Sequence, residues 1–172
     1  RYRSSAASDV YKRQDNVSQV ITKAQKKDIK VYLDAEQDLY NDKYQHLSSL
    51  LMFTYNRQQT TIFKTYQLYR RDCHKYLAKD LEFCSLNNIF FGAKLVRGAY
   101  WNTEQKTGKL FINKRDTDNS YNQTIIDIFN HPYSQQKVLL ATHNRLSSEI
   151  GQVLSKRKDI FEFGPVSYTH LT

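Results

Sequence analysis

Cysteine is scarce in this chain, with two in 172 residues, as are proline, with two, and glycine, with five. No CxxC or His/Cys cluster accompanies Cys73 and Cys84, so neither a disulfide scaffold nor a zinc site is expected. The two lie eleven residues apart on what reads as one helix and its exit. Reduced thiols in a cytoplasmic protein account for them most simply. Low Gly and Pro content, 40% hydrophobic residues and no low-complexity tract exclude a disordered or collagen-like chain. No apolar run approaches the roughly 18 residues a membrane helix needs, so no transmembrane segment is expected. No GxGxxG or P-loop pattern follows any predicted strand, which counts against a Rossmann-type nucleotide site.

What is present in excess is positive charge, +9 over the whole sequence. That balance raises nucleic acid as a partner. The cations are scattered, however, at Lys26-Lys27, Arg70-Arg71, Lys114-Arg115 and Lys156-Arg157-Lys158. Each group sits in a polar stretch between apolar segments, as on a solvated helix face. Residues 1–14 and 165–172 match no neighbouring element and resemble translated adapter read-through at the ends of an assembled reading frame. The first fourteen residues hold four cations and one anion, so without them +9 falls to +6. The expectation is one domain over residues 15–164 with non-native ends.

Between those ends the pattern alternates. Residues 17–27 are apolar at helical spacing, and 28–33 read as a strand. A helix is predicted over 37–55, a strand over 60–66, rich in β-branched and aromatic residues, and a helix over 67–87. Phe83 and Leu81 are among its expected inward residues. The third strand, Gly92 to Val96, is followed by a polar insertion over 102–116, long enough to be a functional loop. Helix 118–129 stops near His131-Pro132. Strand 137–141, helix 145–154 and a last strand opening at Ile160 complete the series. Such alternation predicts an α/β fold with a parallel sheet. Asp34 and Glu36, Lys64 and Gln67, Lys94 and Arg97, and Thr142 to Asn144 all fall at strand C-terminal ends. Polar groups from four strands at one rim suit a (β/α)8 TIM-type barrel, about five strands of it, better than an open sheet with one switch point.

The chain is organised around Phe90-Phe91-Gly92-Ala93-Lys94-Leu95-Val96-Arg97-Gly98-Ala99-Tyr100-Trp101. A buried strand ends in two cations, a residue without a side chain, and two large aromatics. Backbone can approach a flat ligand at Gly98 and Ala99, while Lys94 and Arg97 supply donors and Tyr100 and Trp101 supply faces. The same letters also describe an ordinary core strand and turn. Likewise Asp34, Thr142 and Asn144 are good helix caps, His143 suits a surface helix start, and Lys64 and Arg97 suit rim charges without a ligand.

Four blocks taken together resemble proline dehydrogenase: Asp34-Ala35-Glu36, Thr65-Tyr66-Gln67, Lys94 to Trp101, and Ala141-Thr142-His143-Asn144. Their order and spacing match as well, and the polar stretch Asp116 to Asn122 resembles the family's segment before the last block. The resemblance implies a barrel with FAD at its C-terminal mouth and oxidation of L-proline to Δ1-pyrroline-5-carboxylate. Hydride would pass to the flavin and electrons onward to a membrane quinone, with any membrane contact peripheral. It implies catalytic roles for Asp34, Lys94 and Tyr100. It implies cofactor contacts from Ala35, Lys64, Lys94, Val96, Arg97, Gly98, Ala99, Trp101, Thr142, His143 and Asn144, and no metal. Lys64 departs from the amide the family carries beside its flavin. The family's early-strand lysine and its late arginine pair and glutamate fall outside residues 15–164. The chain by itself is therefore expected to be inactive and prone to aggregate. Another (β/α)8 flavoprotein or phosphate-binding barrel, or a basic nucleic-acid-binding module, are the alternatives.

Overall fold

The computed structural model describes residues 16–164, so the two ends set aside above lie outside the described residues. Five parallel strands form one sheet, β1 (Val31–Leu33), β2 (Ile62–Gln67), β3 (Phe91–Val96), β4 (Gln136–Ala141) and β5 (Phe161–Gly164), adjacent in chain order. Helix α1 covers 16–26. The others are α2 (Asn41–Tyr55), α3 (Cys73–Leu86), a short α4 (Trp101–Glu104), α5 (Lys114–Asn130) and α6 (Arg145–Ser155).

Each strand adds to the sheet beside its predecessor, with no reversal of direction. Right-handed crossovers, the rule for parallel strands, then put the connecting helices α2, α3, α5 and α6 on the same face, which is the singly wound arrangement of a barrel. The curvature is visible in a contact between the two outermost strands. Lys30, just before β1, donates to the Glu162 carboxylate of β5 at 2.5 and 2.6 Å. Alternation along the strands decides what meets the helices and what faces the hollow. Ile62, Tyr66, Phe91, Ala93, Leu95, Val138, Leu140 and Phe161 lie in one buried cluster with Met52, Leu77, Leu81, Tyr121 and Ile125. Their neighbours Tyr32, Phe63, Thr65, Lys94 and Leu139 belong to the concave row, with Tyr32↔Phe63, Thr65↔Lys94 and Lys94↔Leu139 in register.

Several expected boundaries move, each for a local reason. The segment 67–72 is not helical, because Leu68 and Tyr69 N–H groups prolong the ladder to the carbonyls of Val96 and Arg97. Helix α2 starts at Asn41, after a single 3-10 turn over Asp38–Tyr40. Helix α5 starts four residues early because Asn113 caps it, its side chain accepting from the Asp116 N–H at 2.9 Å. Phe83, expected inside, is 41% exposed and stacks on Phe53 with centroids 4.3 Å apart. The polar insertion is ordered by a bridge between Arg70 and Leu110.

Candidate active site

Register builds the rim. Lys94, two residues from the end of β3, lies opposite Thr65 on one side and Leu139 on the other. Its ammonium donates to Asp34 Oδ1 at 2.6 Å, and Thr65 Oγ1 reaches the same oxygen at 3.5 Å. Asp34 leaves β1 directly and is 67% exposed at the side chain, so the pair sits at the open mouth, not in the core. Below it the floor of the hollow is aromatic: Tyr32 and Phe63 have centroids 5.1 Å apart, and Lys94 Nζ lies 6.0 Å from the Tyr32 ring. Asp34 therefore meets a cation across the rim, and the first residue of the turn that opens α2 is the neighbouring Asp38.

Beyond β3 the chain crosses the mouth. Gly98 adopts φ +135°, a region favouring glycine, and a Cβ there would come within 2.5 Å of the Tyr69 ring. Ala99 is exposed and Tyr100 half-buried. The Tyr100 hydroxyl donates to Glu36 Oε2 at 2.8 Å, and this hydrogen bond, with burial second, raises its pKa. Trp101 opens α4 and turns its Nε1 toward the Phe111 carbonyl at 3.5 Å. Ala35 stands between Asp34 and Glu36 in the loop after β1.

Arg97 gathers the other side of the rim. Its Nε donates to Asp118 at 2.6 Å, one Nη to Thr142 Oγ1 at 2.5 Å and the other to Ser147 Oγ at 2.9 Å. Its guanidinium also lies 4.5 Å from the Tyr121 ring centroid. Burial pushes the Asp118 pKa up, but hydrogen bonds from Lys114 and Arg97 outweigh it and the carboxyl ends below its ordinary value. Asn144 caps α6 by accepting from Ser147 N–H at 3.1 Å, so its side-chain oxygen is engaged. Thr142 Oγ1 also accepts from the Asn144 N–H, and His143 is exposed at the same turn.

The structure thus brings Asp34, Lys94, Tyr100, Gly98, Ala99, Thr142, His143 and Asn144 to strand ends or the loops that follow them. Val96, two residues after Lys94, shares the concave row with it and lies opposite Gln67. Lys64 is not brought there, which corrects the expectation for that residue. It faces the helices, its side chain 1% exposed, and donates to Asp80 at 2.6 Å, Ser49 at 2.8 Å and the Gln45 carbonyl at 3.4 Å. A one-residue offset along β2 reverses the face, and it is Thr65 that lies beside Lys94 and Gln67 that lies beside Val96. Arg97 is at the rim, but its fork is spent on Asp118, Thr142 and Ser147. Sequence reading missed Asp118 and Ser147. The clue available was a carboxylate in the second turn of α5 and a hydroxyl in the first turn of α6, near helix starts that in a barrel open toward the same mouth.

The donor set suits a large anionic, planar cofactor in part. A cation at the mouth, an aromatic floor, a rim hydroxyl at Thr142 and a glycine that keeps the β3 loop close are all present. No cluster of His, Cys, Asp or Glu that could hold a metal occurs among the described residues, and no helix among them is long and apolar enough to cross a membrane.

The sequence model of a family described as Proline dehydrogenase matches residues 3–165. Proline dehydrogenase 1, mitochondrial, of Drosophila melanogaster is 37% identical over 82 residues, covering 48% of this chain and 12% of that protein. The protein of the same description from Dictyostelium discoideum is 28% identical over 169 residues, covering 91% and 29%. Hydroxyproline dehydrogenase of Xenopus laevis is 28% identical over 129 residues, covering 69% and 28%. The chain thus spans less than a third of each of these relatives. Among solved structures, proline utilization A of Bdellovibrio bacteriovorus, inactivated by N-propargylglycine, superposes with TM-score 0.76 at 20% identity, covering 87% of this chain and 17% of that one.

Proposed function

The chain belongs to the proline dehydrogenase family, and on that premise we propose that it forms part of the barrel of a flavoenzyme oxidising L-proline to Δ1-pyrroline-5-carboxylate. Residues 15–164 are the barrel portion in this reading, and further strands complete the mouth. The observation that carries it is the Lys94–Asp34 pair held open at the rim, at 2.6 Å, above the aromatic floor.

FAD, when bound, would supply the hydride acceptor, with a quinone as the onward electron acceptor and any membrane contact peripheral. The chain's residues prepare the place. Lys94 presents a fixed positive charge where negative charge develops, and Asp34 holds the ammonium at one point. Tyr100, kept protonated by Glu36, closes the mouth on the substrate side. Val96, Gly98 and Ala99 offer backbone and little bulk, Ala35 leaves the β1 side clear, and Trp101 shields the loop from water. Thr142, His143 and Asn144 would hold the cofactor's chain, with Arg97 fixing Thr142 from behind.

The test uses the chain expressed with the coding sequence that flanks it in its source DNA. The purified protein is expected to be yellow, and anaerobic L-proline is expected to bleach it. Lys94→Ala is expected to slow that bleaching by about a hundredfold, the size of effect seen when one charge-stabilising donor is removed. A colourless protein, or a flavin that neither proline nor hydroxyproline reduces, would refute the reading.

A further inference from the structure

The loop from Arg97 to Phe111 is held at both ends by one residue of the preceding βα unit, Tyr69, while Arg71 N–H donates to the Lys109 carbonyl at 3.0 Å within it. Tyr69 N–H donates to the Arg97 carbonyl at 2.7 Å, and the Tyr69 carbonyl accepts from Phe111 N–H at 2.8 Å. Both ends of the loop are thereby fixed. Its ring fills the space where a side chain at Gly98 would stand. Its hydroxyl donates to Glu104 Oε2 at 2.8 Å. Glu104 is itself 4% exposed, and its other oxygen accepts from the Asp38 N–H at 2.7 Å. The Glu104 N–H returns to the Tyr100 carbonyl at 2.9 Å.

We infer that Tyr69 is a positioning residue for the proposed reaction, setting through Glu104 where the Tyr100 hydroxyl stands relative to the Asp34–Glu36 loop. The inference rests on the function proposed above. Tyr69 touches neither Asp34 nor Lys94 by any hydrogen bond described, so its influence runs through the loop. Burial, with the Glu104 hydrogen bond adding to it, raises the Tyr69 pKa and keeps the hydroxyl a donor. Glu104 is the hinge of the connection because it joins three segments: β2's exit, the loop itself and the turn after β1. Arg70 strengthens the same junction, donating to Asp38 at 2.7 Å and lying 4.0 Å from Glu104.

Tyr69→Phe keeps the ring under Gly98 and removes the hydroxyl alone. In the intact enzyme it is expected to keep its flavin content while kcat/KM for proline falls about tenfold, the size expected for one buried hydrogen bond to a charged group. Glu104→Gln is expected to give a similar loss, and the double variant no more than the larger single effect. Trypsin cleavage after Lys106, read on the same proteins without substrate, is expected to speed up in both variants. Unchanged kcat/KM in Tyr69→Phe, additive losses in the double variant, or unchanged cleavage would each overturn the inference. A wild-type protein without reducible flavin would sink the proposed function instead, and the cleavage comparison would still decide whether Tyr69 anchors the loop.

Discussion

Replacing Lys64 by methionine separates the two places this residue has been put. On the helix-facing side of β2 it is a buried cation whose loss leaves Asp80, 6% exposed at the side chain, without its ion-pair partner. Asp80 keeps two donors, the Tyr66 hydroxyl at 2.8 Å and the Ser49 hydroxyl at 2.9 Å. It also borders a cleft of 350 Å³ between α2 and α3 that lets water approach. Breaking a buried pair costs about 3–5 kcal/mol, and those residual donors argue for the lower end, about 3 kcal/mol. For a domain this size that is a fall of about 10 °C in melting temperature. Asp80→Asn is expected to cost at least as much, because burial already lowers the Lys64 pKa against the pull of Asp80. Lys64→Met with Asp80→Leu is expected to recover most of the loss, since apolar pairs replace buried ion pairs at little cost. Thermal melting by circular dichroism, with flavin content measured in parallel, is the assay. A Lys64→Met protein that melts like the wild type but has lost its flavin would refute the placement and return the residue to the site.

Three further outcomes are expected. Gly98→Ala, with φ +135° and a Cβ 2.5 Å from the Tyr69 ring, costs at least about 2 kcal/mol, whereas Gly108→Ala, at φ +69° with nothing within 4 Å, costs about 1 kcal/mol; urea midpoints that rank the two in the opposite order would contradict this. The Asp38 carboxyl is held below its ordinary value of 3.8 by its hydrogen bond from Lys109, with Arg70 assisting against burial. A depressed carboxyl stabilises above 3.8 and loses that contribution as pH falls through its lower folded value. Asp38→Asn should therefore flatten the acid limb of melting temperature against pH, and an unchanged limb would exclude the Asp38 contacts as its source. Burial pushes the Cys73 and Cys84 thiols up to about 12, so a disulfide reagent at pH 8 is expected to leave both untouched until urea unfolds the chain; rapid labelling of the native protein would show the α3 face to be open.

The order of strands was legible because each is a short apolar or β-branched run bounded by polar residues, and the rim was legible because polar side chains recur where those runs stop. Lys64 was not. Nothing in the letters of β2 says whether its odd or even residues face the helices, and the register with Lys94 supplies that answer. The start of α5 was hidden for a different reason: its first turn is polar, so periodicity is silent there and only the cap at Asn113 marks it. Tyr69, Arg70 and Glu104 escaped because their partners lie some thirty residues or more away along the chain, as with Tyr69 and Glu104 or Arg70 and Asp38. Long-range polar contacts leave no periodic trace.

Strand order equal to chain order has a consequence for biosynthesis. Every strand finds the edge it must join already laid down by the unit synthesised just before it, so no pairing waits for a distant segment to leave the ribosome. The growing sheet presents one advancing edge, and each helix seals the apolar face of its own strand before the next arrives. Side-chain contacts reach further back, as from Lys94 to Asp34, and further still from Lys30 to Glu162, 132 residues apart; it is the Lys30 contact that marks closure. That contact cannot form until β5 is in place, so it reports the moment at which a growing ribbon has curled far enough to become the wall of a vessel.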